Sequence, residues 1–322
     1  MTTTRHDTCR ICETQGLHPR FTAREMMFGK RTSFDYFKCT ACGCLQIASV
    51  PKDIGDYYGD NYYSHGRPTQ RSALAAAIVR ARDRYAVSGH SLVGSLLAAR
   101  FPNLAINAIR PLGLPRQAAI LDVGCGSGHL LLTLAAIGFT DLTGMDPFVP
   151  QSITYESGVR VLKQGIEDAQ GRWDLVMFHH SFEHVADSLS VLSAARRALA
   201  PAGSCMVRVP LVDSLAWERY GVNWCQLDAP RHLYLHTQQS MKVLAQRAGL
   251  QVERVVHDST DFQFWGSEQY ERDIPLRSST SYFENRAASM FSRAQIDDFR
   301  RCAAELNASA KGDQAVFYLR HA

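Results

Sequence analysis

The sequence predicts an α/β chain whose main body is a largely parallel sheet with crossover helices, preceded by a small cysteine-paired module. Three observations carry this. From Ala118 onward, short apolar runs alternate with segments of helical periodicity, the pattern of successive βαβ units. A buried apolar run, ILDV, leads directly into a turn with three glycines and then into a helix. Ahead of both lie two C-x-x-C pairs in a stretch rich in aromatics and poor in periodicity, which reads as loop-rich.

Three regions follow: residues 1–65 as the cysteine module, 66–116 as connecting helices, and 117–322 as the α/β domain with an insertion at about 259–311. The connecting region is rich in Ala, Leu and Arg at helical spacing, interrupted by Pro102 and Pro111, and reads as two or three helices. In the α/β region AAILDV is a buried strand and GHLLLTLAAIG the helix after it. DLTGMD, GVRVLK and WDLVMF are the next strands. SLSVLSAARRALA is an amphipathic helix that Pro201 and Gly203 stop, and SCMVRV is the strand after it. MKVLAQRAGL and QVERVV make a further helix–strand unit, and QAVFYLR is a final strand.

The 322 residues are 46% hydrophobic and 20% charged, enough for one large domain with a real core and a smaller module. No run approaches the ~18 apolar residues of a membrane span, and MTTTRHDTCR has no apolar segment behind its charges. No membrane span, no signal peptide and a cytoplasmic location are therefore expected. In a reducing compartment the nine cysteines would be thiols or metal ligands. A net charge of +4 is too mild to mark a nucleic-acid binder. The charge is uneven, however, with eight arginines (67, 71, 80, 82, 84, 100, 110 and 116) against Asp83 alone between Gly66 and Arg116. That is a surface for phosphates or anionic lipid, or a solvated helical face.

The segment ILDVGCGSGH, residues 120–129, holds most of the chemistry. Gly124, Gly126 and Gly128 let the backbone turn sharply and approach a ligand with no Cβ in the way. The third glycine falls one place too early for a dinucleotide fingerprint, since His129 holds that slot. Asp122 ends the strand, where it can face the cationic amino-acid part of S-adenosyl-L-methionine. Asp146 closes the next strand at the interval expected for a carboxylate that accepts from both ribose hydroxyls.

With LTGMDP, WDLVMFHHSFEHV and ALAPAGSCMVRVP following LDVGCGSG in order, the chain resembles the class I S-adenosylmethionine-dependent methyltransferases over about residues 118–258 and the last ten. The resemblance implies a Rossmann-like seven-stranded mostly parallel sheet with the last strand antiparallel. It implies that Gly124, Asp146 and the backbone near His179 line the cofactor site, and it maps the adenine contacts onto Gly165, Ile166 and Glu167. Many members carry an acid where Gly165 stands.

Methyl transfer needs the acceptor held in line and, where it bears a proton, a base to take it. The loop FHHSFEH after the fourth strand supplies His179, His180, Glu183 and His184, a dense set of proton-transfer groups. His180 leads as base, His184 follows together with His232 from LDAPRHLYLHT, residues 227–237, and Glu183 is placed to orient either neighbour. In that segment Arg231 and His236 are also placed to meet an acidic or hydroxylated acceptor, with Trp217, Tyr220 and Trp224 walling a pocket. Ubiquinone-pathway O-methyltransferases carry a similar glutamate–histidine pair and use it with a divalent cation; their further upstream carboxylate is His180 here. That replacement favours a plain base over metal assistance. The loop lacks the Asn or Asp followed by two prolines usual in enzymes that methylate base amines, which favours an oxygen or carbon acceptor.

Cys9 with Cys12 and Cys39 with Cys42 each put two thiolates on one side of a metal, and together complete a tetrahedral structural zinc site. Gly43 after the second pair suits a tight knuckle; Glu13 after the first does not. The segment through DYYGDNYYSHG resembles the N-terminal part of zinc-ribbon methyltransferases of bacterial polysaccharide and natural-product pathways. Its Tyr57, Tyr58, Tyr62 and Tyr63 would suit a sugar face. The expected function is methyl transfer to oxygen or carbon of a small polyhydroxylated acceptor, a sugar or natural-product intermediate, without a nucleic-acid partner. The rivals are an RNA methyltransferase docking through the zinc module and basic helices, and a non-catalytic cofactor-binding scaffold.

Overall fold

Each of the seven strands expected after Ala118 forms, and an eighth joins them. The computed structural model describes residues 4–58 and 72–322. Tyr62, Tyr63, Arg67 and Arg71, and the expected boundary between 65 and 66, lie outside the described residues. The eight strands are β5 (Ala119–Val123), β6 (Asp141–Met145), β7 (Ile153–Thr154), β8 (Arg160–Leu162), β9 (Trp173–His179), β10 (Leu199–Pro210), β12 (Leu250–His257) and β13 (Gln314–His321). Their order across the sheet is β12-β13-β10-β9-β5-β6-β8-β7. β5 runs parallel to both β6 and β9, and β6 parallel to β8. The extra strand, β7, is the two-residue antiparallel partner of β8, turned back by Tyr155–Val159 with Gly158 at φ 83. Two residues are too few to show a period, so the sequence does not announce it.

The helices fall where their caps put them. α1 (Ala73–Ser88), α2 (Leu92–Arg100) and α3 (Leu104–Ile109) are the three connecting helices, begun by Ser72, Ser91 and Asn103, whose side chains accept the orphan amides of the first turns. α4 (His129–Ala136) follows the glycine turn and α5 (Ser188–Ala198) precedes β10. The helix does stop before Pro201, but strand β10 already begins at Leu199. Gly203 is needed there because a Cβ would lie 2.6 Å from the Trp173 carbonyl oxygen. α6 is Leu215–Tyr220 and α7 Gln238–Arg247. The insertion contains α8 (Phe262–Glu271) and α9 (Arg293–Ala308), joined by a stacked Phe264–Phe299 pair. Among the described residues no single helix is long and apolar enough to cross a membrane.

The cysteine module is not loop-rich. β1 (Thr4–Thr8), β2 (Gln15–Arg24), β3 (Ser33–Lys38) and β4 (Leu45–Ile47) form an antiparallel sheet in chain order, and β11 (Tyr234–Leu235) adds a fifth strand to β4. Short strands broken by knuckles leave too little alternation to read in advance. The chain divides into two compact units. The first holds Met1–Gly59, Phe182–Leu189 and Arg208–Phe317; the second holds Asp60–Ser181, Ser190–Val207 and Tyr318–Ala322.

At the heart of the first unit lies a buried cation. Arg231 is 0% exposed and pairs with Glu25 at 3.0 Å and Asp228 at 2.5 Å. It also donates to the Tyr57 carbonyl at 2.7 Å and lies over the Phe28 ring. Burial alone would raise the Asp228 carboxyl, yet the Arg231 charge and hydrogen bonds hold it below the usual range. Arg231 is thus a structural hub and not the acceptor-reading group the sequence suggested. Truncating it to Ala would leave two buried carboxylates without a counter-charge, and should cost about 3–5 kcal/mol of stability in chemical denaturation. A loss below about 1 kcal/mol would contradict the burial of this group.

Candidate active site and metal centres

In the second unit, parallel pairing sets the carboxyl ends of β5, β6 and β9 side by side, the edge where open α/β sheets take their ligands. The turn after β5 requires its glycines. Gly124, Gly126 and Gly128 have φ of 72, 53 and 80, and a Cβ on Gly124 would lie 2.5 Å from Ser181 Cβ. Asp146, one residue past β6, accepts from the Gly126 amide through Oδ2 at 2.9 Å and from the Phe148 amide through Oδ1 at 2.8 Å. Both oxygens are thereby aimed, each with a lone pair left for a hydroxyl. Asp122 is 3% exposed, and burial, with the charge of Asp146 adding to it, pushes its carboxyl up to about 8. A cationic ligand group would return it to the ionised form.

Around this edge, Tyr155, which the sequence did not single out, donates to the Ser127 carbonyl at 2.6 Å and clasps the turn. Gly165 begins a single 3₁₀ turn, Ile166–Asp168, in which Ile166 is buried and the exposed Glu167 folds its carboxylate back over Gly165. His179 ends β9, and the half-buried His180 follows with a left-handed φ of 53, its ring edge-on to His179 at 5.3 Å. A left-handed backbone in a non-glycine residue stores strain of about 1–2 kcal/mol.

A separate constellation forms in the first unit. Glu183, His184 and His232 each offer a ligand atom within 4.8 Å of the others. Glu183 and His184 lie in one 3₁₀ turn, Phe182–His184, while His232 arrives from 48 residues on. The two imidazole rings meet edge to face at 4.8 Å, and His232 Nε2 lies 3.9 Å from Glu183 Oε1 and from Asp228 Oδ2. His184 Nδ1 is 2.9 Å from the Arg231 carbonyl oxygen and His232 Nδ1 is 2.8 Å from that of Gln226. A carbonyl only accepts, so each Nδ1 carries the proton and each Nε2 presents a lone pair. Burial, with His232 adding to it, pushes His184 down to about 4, so its lone pair is free at neutral pH. A carboxylate and two imidazoles of fixed tautomer, backed by backbone carbonyls, fit a divalent cation.

The cysteines also converge. Cys9 Sγ lies 3.6 Å from Cys42 Sγ, and Cys12 Sγ 3.6 Å from Cys39 Sγ, with all four within 4.8 Å of one another. A tetrahedral zinc with bonds of about 2.3 Å needs sulfurs about 3.8 Å apart, so the residues fit. The two knuckles repeat one pattern. The Cys9 and Cys39 amides donate to Thr14 and Cys44, and the amides of Glu13 and Gly43 return to the Cys9 and Cys39 carbonyls. Ile11 and Ala41 amides point at the Cys9 and Cys39 sulfurs, and Gln46 Nε2 donates to Cys9 at 2.9 Å. Glu13 takes the left-handed place that glycine fills in the second knuckle, at φ 61, held by an ion pair with Arg247.

Of the other residues expected at an acceptor site, His236 is fully buried, stacked between Phe182 and Tyr234 and hydrogen-bonded to Ser240. Trp217, Tyr220 and Trp224 are buried as well, and Trp224 Nε1 donates to Asp313. All four are packing residues in this fold, because strands and helices of the first unit close over them.

Residues 97–255 match the family described as methyltransferase domain. Residues 97–255 therefore carry a methyltransferase domain. Among curated relatives of this domain, a ubiquinone biosynthesis O-methyltransferase of Azorhizobium caulinodans is 39% identical over 110 residues, 31% of this chain and 42% of the relative. One of Xanthomonas axonopodis pv. citri is 31% identical over 139 residues, 36% of this chain and 57% of the relative. The chain thus spans about half the length of the curated relatives it matches. A solved S-adenosylmethionine-dependent methyltransferase from Mesorhizobium loti is 16% identical with a TM-score of 0.42, covering 66% of this chain and 98% of that one.

The methyltransferase domain's buried acid has a testable signature. Asp122 titrates near 8 when folded and near ~3.9 when unfolded, so ionisation costs stability as pH rises from about 4 to about 8. Asp122→Asn should therefore gain stability relative to the parent across that window and level off above it. A melting-temperature difference constant from pH 5 to 8 would disprove the raised value. For the cysteine module, metal analysis should return one zinc per chain, and Cys39→Ser should lower the melting temperature. Well under half an equivalent of zinc, under conditions that retain metal, would exclude the site.

Proposed function

We propose that the protein transfers the methyl group of S-adenosylmethionine to an oxygen of a small hydroxylated molecule, with a divalent cation at Glu183, His184 and His232. The observation that carries this is the pairing of two imidazoles whose Nδ1 atoms are committed to backbone carbonyls beside a buried carboxylate. Bound there, a cation would supply Lewis acidity that eases loss of the acceptor's hydroxyl proton. His184, pushed down to about 4, is a weak base at pH 7 but a good ligand. This revises the sequence-level preference for a plain histidine base over metal assistance. His180 takes the base role: it alone of the loop histidines is strained, and it stands one residue past β9.

The donor is held by the second unit. Asp122 faces the amino-acid end, Asp146 the ribose, and Gly165, Ile166 and Glu167 the adenine side. The sulfonium leaves as a neutral thioether once the acceptor oxygen has taken the methyl in line. Oxygen as acceptor atom is supported by the names of the relatives, O-methyltransferases of ubiquinone biosynthesis. Those names lend nothing to a sugar or glycan precursor. The described half of the aromatic run lends little more, since Tyr57 is buried edge-on to Phe34 and Tyr58 reaches His184.

The test is incubation of the protein with labelled cofactor and fractionated metabolites, with and without added Mg²⁺ or Mn²⁺. Label should enter a hydroxylated fraction only with cation present. Glu183→Gln and His180→Ala should each lower kcat by ~10²–10⁴ with cofactor affinity nearly unchanged. Full turnover in Glu183→Gln would remove the cation from the reading, and full turnover in His180→Ala would remove the base. Asp146→Ala should weaken S-adenosylmethionine by about 1.5–3 kcal/mol in calorimetry; unchanged affinity in a folded variant would take Asp146 out of the site.

A further inference from the structure

We propose that the N-terminal cysteine sheet is the scaffold of the Glu183–His184–His232 cluster, with Tyr36 and Tyr58 as its positioning residues. This rests on reading that cluster as a cation site. His232 is carried by a segment that belongs to the cysteine sheet. Its neighbours Tyr234 and Leu235 pair with Gln46 and Leu45 of β4, and the Ile47 amide donates to the Leu233 carbonyl at 3.0 Å. The same segment reaches the other ligands, since the Leu233 amide donates to the Glu183 carbonyl at 2.8 Å. One strand edge therefore fixes the backbone of two ligands, Glu183 and His232, that lie 49 positions apart in the sequence.

Side chains of the sheet complete the hold. Tyr36, in the middle of β3 and 0% exposed, donates its hydroxyl to the His232 carbonyl at 2.9 Å. The Tyr58 hydroxyl lies 3.2 Å from His184 Nδ1 and can share the proton that Nδ1 gives to the Arg231 carbonyl. Glu25, just beyond β2, neutralises Arg231, the residue next to His232. A buried phenol hydroxyl is costly to place without a partner, and the partner here is the main chain of a ligand.

The thiolates are wired to this edge. Gln46, which faces Tyr234 in the sheet, donates to Cys9 Sγ and accepts from the Arg10 amide. On the other knuckle Thr237, five residues after His232, donates to the Cys42 carbonyl at 2.6 Å, and a Cβ on Gly43 would lie 2.9 Å from its methyl. A four-stranded sheet of short strands gains much of its rigidity from the metal that closes it. Loading of the cysteine site should then set the affinity of the second cluster.

The full-length chain, loaded with zinc, would be titrated with Mn²⁺ alone by electron paramagnetic resonance. Thiolate sites favour zinc, whereas carboxylate and imidazole accept manganese. Tyr36→Phe and Tyr58→Phe should each weaken Mn²⁺ binding about tenfold, with zinc content and S-adenosylmethionine affinity unchanged. Cys39→Ser should weaken it further if it folds. Mn²⁺ affinity within twofold of the parent in both tyrosine variants overturns the proposal. Absence of Mn²⁺ binding in the parent would sink the cation reading alone, and nitrogen-15 spectra of the histidines then decide the positioning claim. In the parent His184 and His232 should each show one Nδ1–H tautomer; mixed tautomers in Tyr36→Phe support the scaffold role, and unchanged spectra overturn it.

Discussion

The guanidinium of Arg231 sits where water does not reach, and the first unit is organised around satisfying it. A buried charge is tolerated only when opposite charges and acceptors surround it. Glu25, Asp228 and the Tyr57 carbonyl do this from three stretches of chain, so the cation acts as a staple between the end of β2, the segment before α1 and the loop ahead of β11. Hydrophobic residues of equal volume would stabilise such a site as well or better. What the ionic version adds is direction, because only one arrangement of the loop meets all three partners, and that arrangement leaves the Arg231 carbonyl 2.9 Å from His184 Nδ1.

The second unit uses charge in the opposite way. Asp122 and Asp146 stand close enough that the one raises the other's hold on its proton. Asp146 is relieved by two backbone amides, while burial leaves Asp122 largely protonated near neutral pH. The glycine turn between them is rigid for steric reasons, with Ser181 filling the space a side chain at Gly124 would need and donating to the Val123 carbonyl at 2.6 Å.

Legibility varied with the range of the cause. Strands β5 and β13 were readable because burial on both faces leaves largely apolar runs, and the three connecting helices because their caps and prolines are local signals. The glycine turn with Asp122 and Asp146 was readable because the backbone itself dictates it. The insertion was not, since α8 and α9 meet through the Phe264–Phe299 pair with no sheet to set a register. His232 and Arg231 looked alike in the sequence, two polar residues in one loop. Structure separates them in role though they are adjacent: His232 Nε2 lies 3.9 Å from Glu183 Oε1, whereas Arg231 ends in a carboxylate cage.

What the sequence by itself determined is the Rossmann-like sheet, the place of the glycine turn and the identity of the four convergent thiols, because each is encoded by residues within a few positions of one another. What only the tertiary structure decided is the partnership of Glu183 and His184 with His232, and the use of β11 as the last strand of the cysteine sheet. Both depend on pairing across 49 and 188 positions of chain, Glu183 to His232 and Gln46 to Tyr234, and no local pattern records which distant edge a two-residue strand will join.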